Sequence, residues 1–232
     1  MDQLVLESPV SSTLLKLFYK VKSLAELSQM EICLKAPSPR NTKTTDSLDS
    51  LIQTAIIASL FNDIVGLEEG RGAHVDDIIL ALKGHVRDGY KVMKVTTPSP
   101  TLQDRVHVLV SVIPADGAVM ITGEMVKKMR KIRIAASDME IPQLAIITKG
   151  DKACPTVKDN VENLYKSKYL KEKTEEFCSK LGIPMNCVFL VKNYEKETSL
   201  KDDVDAPILC ALTQIISFGD DFLNDVKRKE KI

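Results

Sequence analysis

The chain has 232 residues, 44% of them hydrophobic, enough apolar material for one large domain or a domain plus an extension. Lysine plus arginine balances aspartate plus glutamate, 32 against 32, which argues against a dedicated nucleic-acid or anionic-membrane binder. Tryptophan is absent and aromatics make up 5%, so stacking platforms for single-stranded nucleic acid are not expected.

The N-terminus carries an acid at Asp2 and no compact apolar core after a basic start, unlike a signal peptide. No apolar run approaches the ~20 residues of a membrane span. The expectation is a soluble, cytoplasmic protein with no membrane partner. Residues 12–35 place Leu14, Leu17, Phe18, Val21, Leu24 and Leu27 at helical spacing and predict one amphipathic helix packed on the domain. A Pro/Ser/Thr-rich linker follows at 36–47. The β-branched run in "LIQTAIIASLFND" predicts a buried strand at 55–61, with a helical start to the stretch as the alternative.

Val75 to Leu82 reads as a helix stopped by Gly84, and "RVHVLVSVI", 105–113, as a buried strand. Residues 122–139 predict a basic amphipathic helix with Met125, Val126, Met129, Ile132 and Ile134 on or near its apolar face. "PQLAIIT" reads as a strand. One or two helices then end at Gly182, "NCVFLV" is a further strand, and "DAPILCALTQIISFGDDFL" is the final helix. Strands alternating with helices point to an α/β domain with a mainly parallel sheet. The expected division is 1–45 as a helical segment and linker, 46–225 as the domain, and 226–232 as a charged tail.

Cys33, Cys154, Cys178, Cys187 and Cys210 form no C-x-x-C, so reduced thiols are expected rather than a disulfide framework or zinc site. His74, His85 and His107 lack metal-ligand spacing. The basic run at 127–133 is read as the solvated face of its helix, and the acidic 201–207 as an approach to the last helix, where carboxylates suit the dipole.

Three stretches at predicted strand ends suggest nucleotide chemistry. In Asp63-Ile64-Val65-Gly66, a D-x-x-G pattern, the aspartate would approach Mg²⁺ and the glycine N–H a γ-phosphate. In Thr148-Lys149-Gly150-Asp151, Asp151 is placed to accept from guanine N1–H and the 2-amino group, a donor pair adenine lacks. Lys149 would lie over the ring and Thr148 would tie the loop to its neighbours. Asn193 lies in a polar loop after the last strand, where backbone N–H meets the guanine carbonyl. A charged turn is the plain alternative for 148–151. A phosphate loop, G-x-x-x-x-G-K-[S/T], is missing: the first glycine in the chain is Gly66, and no later stretch fits.

The segments "FNDIVGLEEG", "DDIILALKGHVRDGYK", "KKMRKIRIAASDMEIPQLAIITKGDKACPTVKDNVENLYKSK" and "LGIPMNCVFLVKNYEKE" resemble the interferon-induced protein 44 and 44-like family over residues 55 to about 225. That resemblance implies a vertebrate cytoplasmic protein of antiviral innate immunity with a P-loop GTPase-like G domain, often described as GTP-binding. On it, Asp63 and Gly66 fall on D-x-x-G, Lys149 and Asp151 on the base-reading motif, and Asn193 on the following loop. Upstream the chain departs from the family, so a G domain lacking its first strand and phosphate loop is expected. The favoured reading is a non-catalytic interaction protein with an unidentified protein partner. GTP and Mg²⁺ binding would be weak or absent, with Asp63 the metal contact if Mg-nucleotide binds. The alternative is a GTP-binding switch or GTPase.

Overall fold

A computed structural model describes residues 30–35, 60–64, 74–86, 98–115, 123–195, 199 and 201–230, with β1 and β2 described by backbone. Among the described residues five strands form one sheet: β1 Met30–Lys35, β2 Leu60–Ile64, β3 Val108–Pro114, β4 Gln143–Thr148 and β5 Val188–Leu190, in the order β2-β1-β3-β4-β5. β3, β4 and β5 are parallel, whereas β1 is antiparallel to both β2 and β3. The fold is thus α/β with a parallel three-strand part, and β1 adds two antiparallel pairings that the sequence did not predict.

The N-terminal segment therefore supplies a strand, where the sequence predicted one helix over 12–35. The final six residues, Met-Glu-Ile-Cys-Leu-Lys, alternate with period two, and pairing on both sides stabilises that pattern as a strand. Residues 12–29 lie outside the described residues. The strand expected at 55–61 is found at Leu60–Ile64, which puts Asp63 inside β2 rather than after it. Residues 51–59 also lie outside the described ones.

The helices are α1 Val75–Leu82, α2 Gly123–Asp138, α3 Gly150–Ala153, α4 Pro155–Asp159, α5 Lys168–Leu181 and α6 Asp202–Lys229. Alternate residues of β3 face opposite sides. Leu109 and Ile113, with Ala145 and Ile147 of β4, pack against α1, α2 and α5 through Ile78, Leu82, Met129, Ile132 and Phe177. Val108, Val110 and Val112, with Leu144 and Ile146, pack against α6 through Val204, Ile208, Ala211, Leu212 and Ile215. Each buried Val, Leu, Ile, Met or Phe among them contributes roughly 1.5–3 kcal/mol of transfer free energy. The result is a three-layer sandwich around a strand, β3, that is buried throughout.

α6 is 28 residues long and, by length and composition alone, apolar enough to cross a membrane, which corrects the reading that no run approaches that length. Its apolar stripe lies on the sheet, and Asp202, Asp203 and Asp205 occupy its first turn, at the positive end of the dipole. It continues to Lys229, into the stretch expected to be a tail.

The basic run on α2 is only partly solvated. Arg130 Nε donates to the Lys180 carbonyl at 2.7 Å, and the Arg133 guanidinium donates to the Leu181 carbonyl. Both carbonyls belong to the last turn of α5, where a cation satisfies otherwise orphaned acceptors. Ile134 is 62% exposed, contrary to its expected place near the apolar face. It sits about 200° around the helix from Ile132, which is fully buried.

Tyr165 protects the sheet edge at β5: its hydroxyl accepts from Leu190 N–H at 3.0 Å and faces the Leu190 carbonyl at 3.2 Å. Gly182 ends α5 with φ +75°, and a Cβ there would lie 2.8 Å from Arg133 Nη1. Gly182→Ala is expected to lower stability by about 1–2 kcal/mol. In urea unfolding the midpoint should fall with the slope unchanged, while Gly123→Ala, whose Cβ meets nothing within 4 Å, should not lower it.

Candidate functional site

The carboxyl ends of the parallel strands are where an open α/β sheet offers a ligand crevice. Here β4 delivers Thr148 to that edge and β5 delivers the loop from Val191 to Glu195. Thr148 is 3% exposed; its carbonyl accepts from Ala115 N–H at 2.7 Å, and its hydroxyl donates to the Ile113 carbonyl at a long 3.5 Å. It ties the turn to the end of β3.

Two further bonds stitch the β4 and β5 ends together. Gly150 N–H donates to the Val191 carbonyl at 3.3 Å, and Lys149 N–H donates to Asn193 Oδ1 at 3.0 Å. Gly150 is buried against Leu164, and a Cβ would lie 2.6 Å from Leu164 Cδ1, so a side chain there requires Leu164 to move. Lys149 has φ +57°, a left-handed conformation costing a non-glycine residue about 1–2 kcal/mol. Among the described residues only Glu140 shares that feature. Strain of this kind, held by surrounding bonds, is often found at ligand sites.

Asp151 lies in the first turn of the short α3 helix and is partly buried. Burial pushes its carboxyl above the usual aspartate range, its own backbone N–H and the Lys192 charge pull it back, and Glu195 adds to the rise. Lys152 is ion-paired with Glu195. Asp151 is thus a carboxylate kept at some cost in a corner with cations beside it.

Asn193 is 6% exposed, and its Nδ2 is buried with no hydrogen-bond partner among the described residues. An unmet donor of this kind costs about 1–3 kcal/mol. The sequence placed Asn193 in a loop whose backbone was the point of interest; the structure adds that its side chain positions the Lys149 turn. Tyr194 was not singled out by sequence. Its hydroxyl accepts from Lys201 N–H at 2.6 Å and donates to Asp205 Oδ1 at 2.8 Å, fastening the loop to the start of α6. Its pKa is pushed up to about 12, first by burial and further by the Asp205 carboxylate. A tyrosine shortly after a short strand, with an acid-rich helix start following, was the available signal.

The second half of the expected site lies apart. Asp63 is in register with Ile32, which pairs with Val110, which pairs with Leu144. Thr148 is therefore four residue steps and three strand spacings away, on the order of 20 Å along the sheet. The structure thus brings Thr148, Lys149, Asp151 and Asn193 together and leaves Asp63 across the sheet. Gly66 lies outside the described residues.

A raised carboxyl means that the folded chain binds more protons than the unfolded one in the window just above pH 3.8. Stability contributed by the neutral form is present below that pH and is lost as pH rises through the folded pKa. Asp151→Asn is accordingly expected to raise the urea midpoint at pH 7, with the gain disappearing below pH 3.8. An unchanged or lower midpoint at pH 7 would show that the carboxylate is not held at a cost.

No family model matches the chain, and no solved structure matches it. Curated relatives do. Interferon-induced protein 44 of Mus musculus is 33% identical over 173 residues, covering 71% of this chain and 41% of the relative. Interferon-induced protein 44-like of Homo sapiens is 31% identical over 179 residues, covering 72% and 40%. Interferon-induced protein 44 of Homo sapiens is 29% identical over 174 residues, covering 71% and 39%. The chain spans about two fifths of the length of the relatives it matches. Over the aligned 71% of its length, the chain belongs to the interferon-induced protein 44 and 44-like family.

Proposed function

We propose that this chain acts in the interferon response as a non-catalytic interaction protein built on a degenerate GTPase-like domain. Its relatives are named as interferon-induced proteins, which supports the setting. Antiviral action, cytoplasmic residence and an unidentified protein partner are parts of the same proposal.

One observation carries the non-catalytic reading. β1 stands between β2 and β3 and runs against both, so its carboxyl end at Lys35 faces the edge where β3 begins. In a P-loop domain the strand that feeds the phosphate loop ends at the ligand edge, because the loop's N–H groups must meet the phosphates there. Here the chain leaves β1 at the other edge. The base-reading corner survives in outline, with Asp151 as guanine acceptor, Lys149 beside the ring and Thr148 and Asn193 holding the turn.

The energetics agree. Two charge-assisted hydrogen bonds from guanine to Asp151 supply at most about 3–6 kcal/mol. Micromolar affinity requires about 8 kcal/mol. Hydrolysis is placed worse, since its transition-state charge develops on the phosphoryl group and needs preorganised donors there. The second reading, a GTP-binding switch with Asp63 near Mg²⁺, draws its support from how completely the 148–151 turn is braced.

Calorimetry with GTP, GDP and Mg²⁺ separates the two. No saturable binding at micromolar nucleotide is expected, and tight magnesium-dependent binding would instead establish the switch. Any millimolar binding should favour GTP over ATP, and Asp151→Ala should abolish that preference. A preference that survives the substitution removes Asp151 from base recognition.

A further inference from the structure

A pocket of about 380 Å³ opens at the amino ends of β3 and β4, at the opposite edge of the sheet from Thr148 and Asn193. Its floor is Leu82, Val106 and Ile141, buried to 5% exposure or less. Phe222 of α6 forms one wall and packs on His107, ring centroids 6.0 Å apart. His107 is itself held through Nε2 by the Leu102 carbonyl at 2.9 Å.

The rim is tightly braced. Val106 N–H donates to the Leu82 carbonyl at 3.1 Å, joining the end of α1 to the approach to β3. Gly84, with φ +87°, lets the backbone come so close that a Cβ would lie 2.8 Å from the Asp104 carbonyl carbon and oxygen. This approach sets Lys83 and Arg105 on the same rim. Neither side chain has an ion pair or hydrogen bond to a described residue. The carboxylates nearest in sequence are engaged elsewhere: Asp104 accepts from Thr101 N–H at 2.8 Å and from its hydroxyl at 2.6 Å, and Glu140 is paired with Lys229. No carboxylate is among the described lining residues.

We propose that this pocket binds a small apolar monoanion, its hydrocarbon body on Leu82, Val106 and Ile141 and its charged head at the Lys83–Arg105 rim. The volume lies at the lower end of the range for small-molecule sites. An apolar floor rewards burial of hydrocarbon, and two cations whose side chains have no partner among the described residues favour one anionic group. A nucleotide is a poor fit, because it brings several polar groups for which the floor has no partners. The site is separate from the guanine corner, so either assignment can fail without the other.

The test is calorimetric titration of the full chain with decanoate and, as the uncharged counterpart, decanol. Decanoate should bind saturably, one to one, and decanol at least tenfold more weakly. Lys83→Gln with Arg105→Gln should weaken decanoate at least tenfold, to the level of decanol, with an unchanged unfolding midpoint because both side chains are exposed. Met139→Trp, at a partly exposed wall, should fill the space and abolish both. Lys127→Gln with Lys131→Gln on α2 should change nothing. Absence of saturable decanoate binding, equal affinity for the two ligands, or indifference to the rim variant would each overturn the assignment.

Discussion

β1 pairs with β2 on one side and β3 on the other, and runs against both. Without it, two strands would present unpaired backbone groups in the middle of the sheet, a costly exposure that invites association. With it, the sheet is continuous from β2 to β5. The same pairing decides what the ligand edge contains, because a strand's direction fixes the edge at which its next loop emerges. Turns after β3, β4 and β5 emerge beside one another, whereas the chain leaves β1 at the far edge. A strand can complete a sheet in either direction, but it can feed a phosphate loop in only one.

On the proposed reading, the two halves of a nucleotide site have been separated energetically. The base half is local: a strained Lys149, a Gly150 pressed against Leu164, and an Asn193 oxygen that holds the turn. These groups are braced by β4 and β5 and do not depend on β1. The phosphate half depends on a central strand ending at the same edge. Losing that half removes most of the affinity and the preorganised charge that catalysis requires, while the folded turn remains as a surface feature. The pocket at the other edge rests on different elements, α1, α6 and the approaches to β3 and β4.

Much of this was legible in the residues. Long apolar runs predicted β3, β4 and β5 to within a few positions, and Gly84 and Gly182 marked helix ends because both adopt positive φ. T-K-G-D was visible at a strand end because it follows an uninterrupted apolar run. Other features were hidden by long-range choices. Met30–Lys35 follows a run with helical spacing, and only its two sheet neighbours select the strand. Arg130 and Arg133 read as a solvated basic run, since nothing local shows that the end of α5 needs their donors. Ile134 read as core because it is apolar, although its angle from Ile132 turns it to solvent. Asn193 was visible as a loop residue, but its side-chain bond to the Lys149 turn is a three-dimensional finding, because that partner lies 44 residues away.

The direction of β1 can be measured without any ligand. Cys33 and Leu109 are register partners across the β1–β3 pairing, and directly opposed residues have Cα atoms about 4.5–5.5 Å apart, within disulfide range. In the folded Leu109→Cys variant, mild oxidation followed by peptide mapping should yield a disulfide between Cys33 and the thiol introduced at position 109. A folded variant in which Cys33 never joins that position would contradict the antiparallel placement of β1, and with it the structural support for the proposed non-catalytic reading.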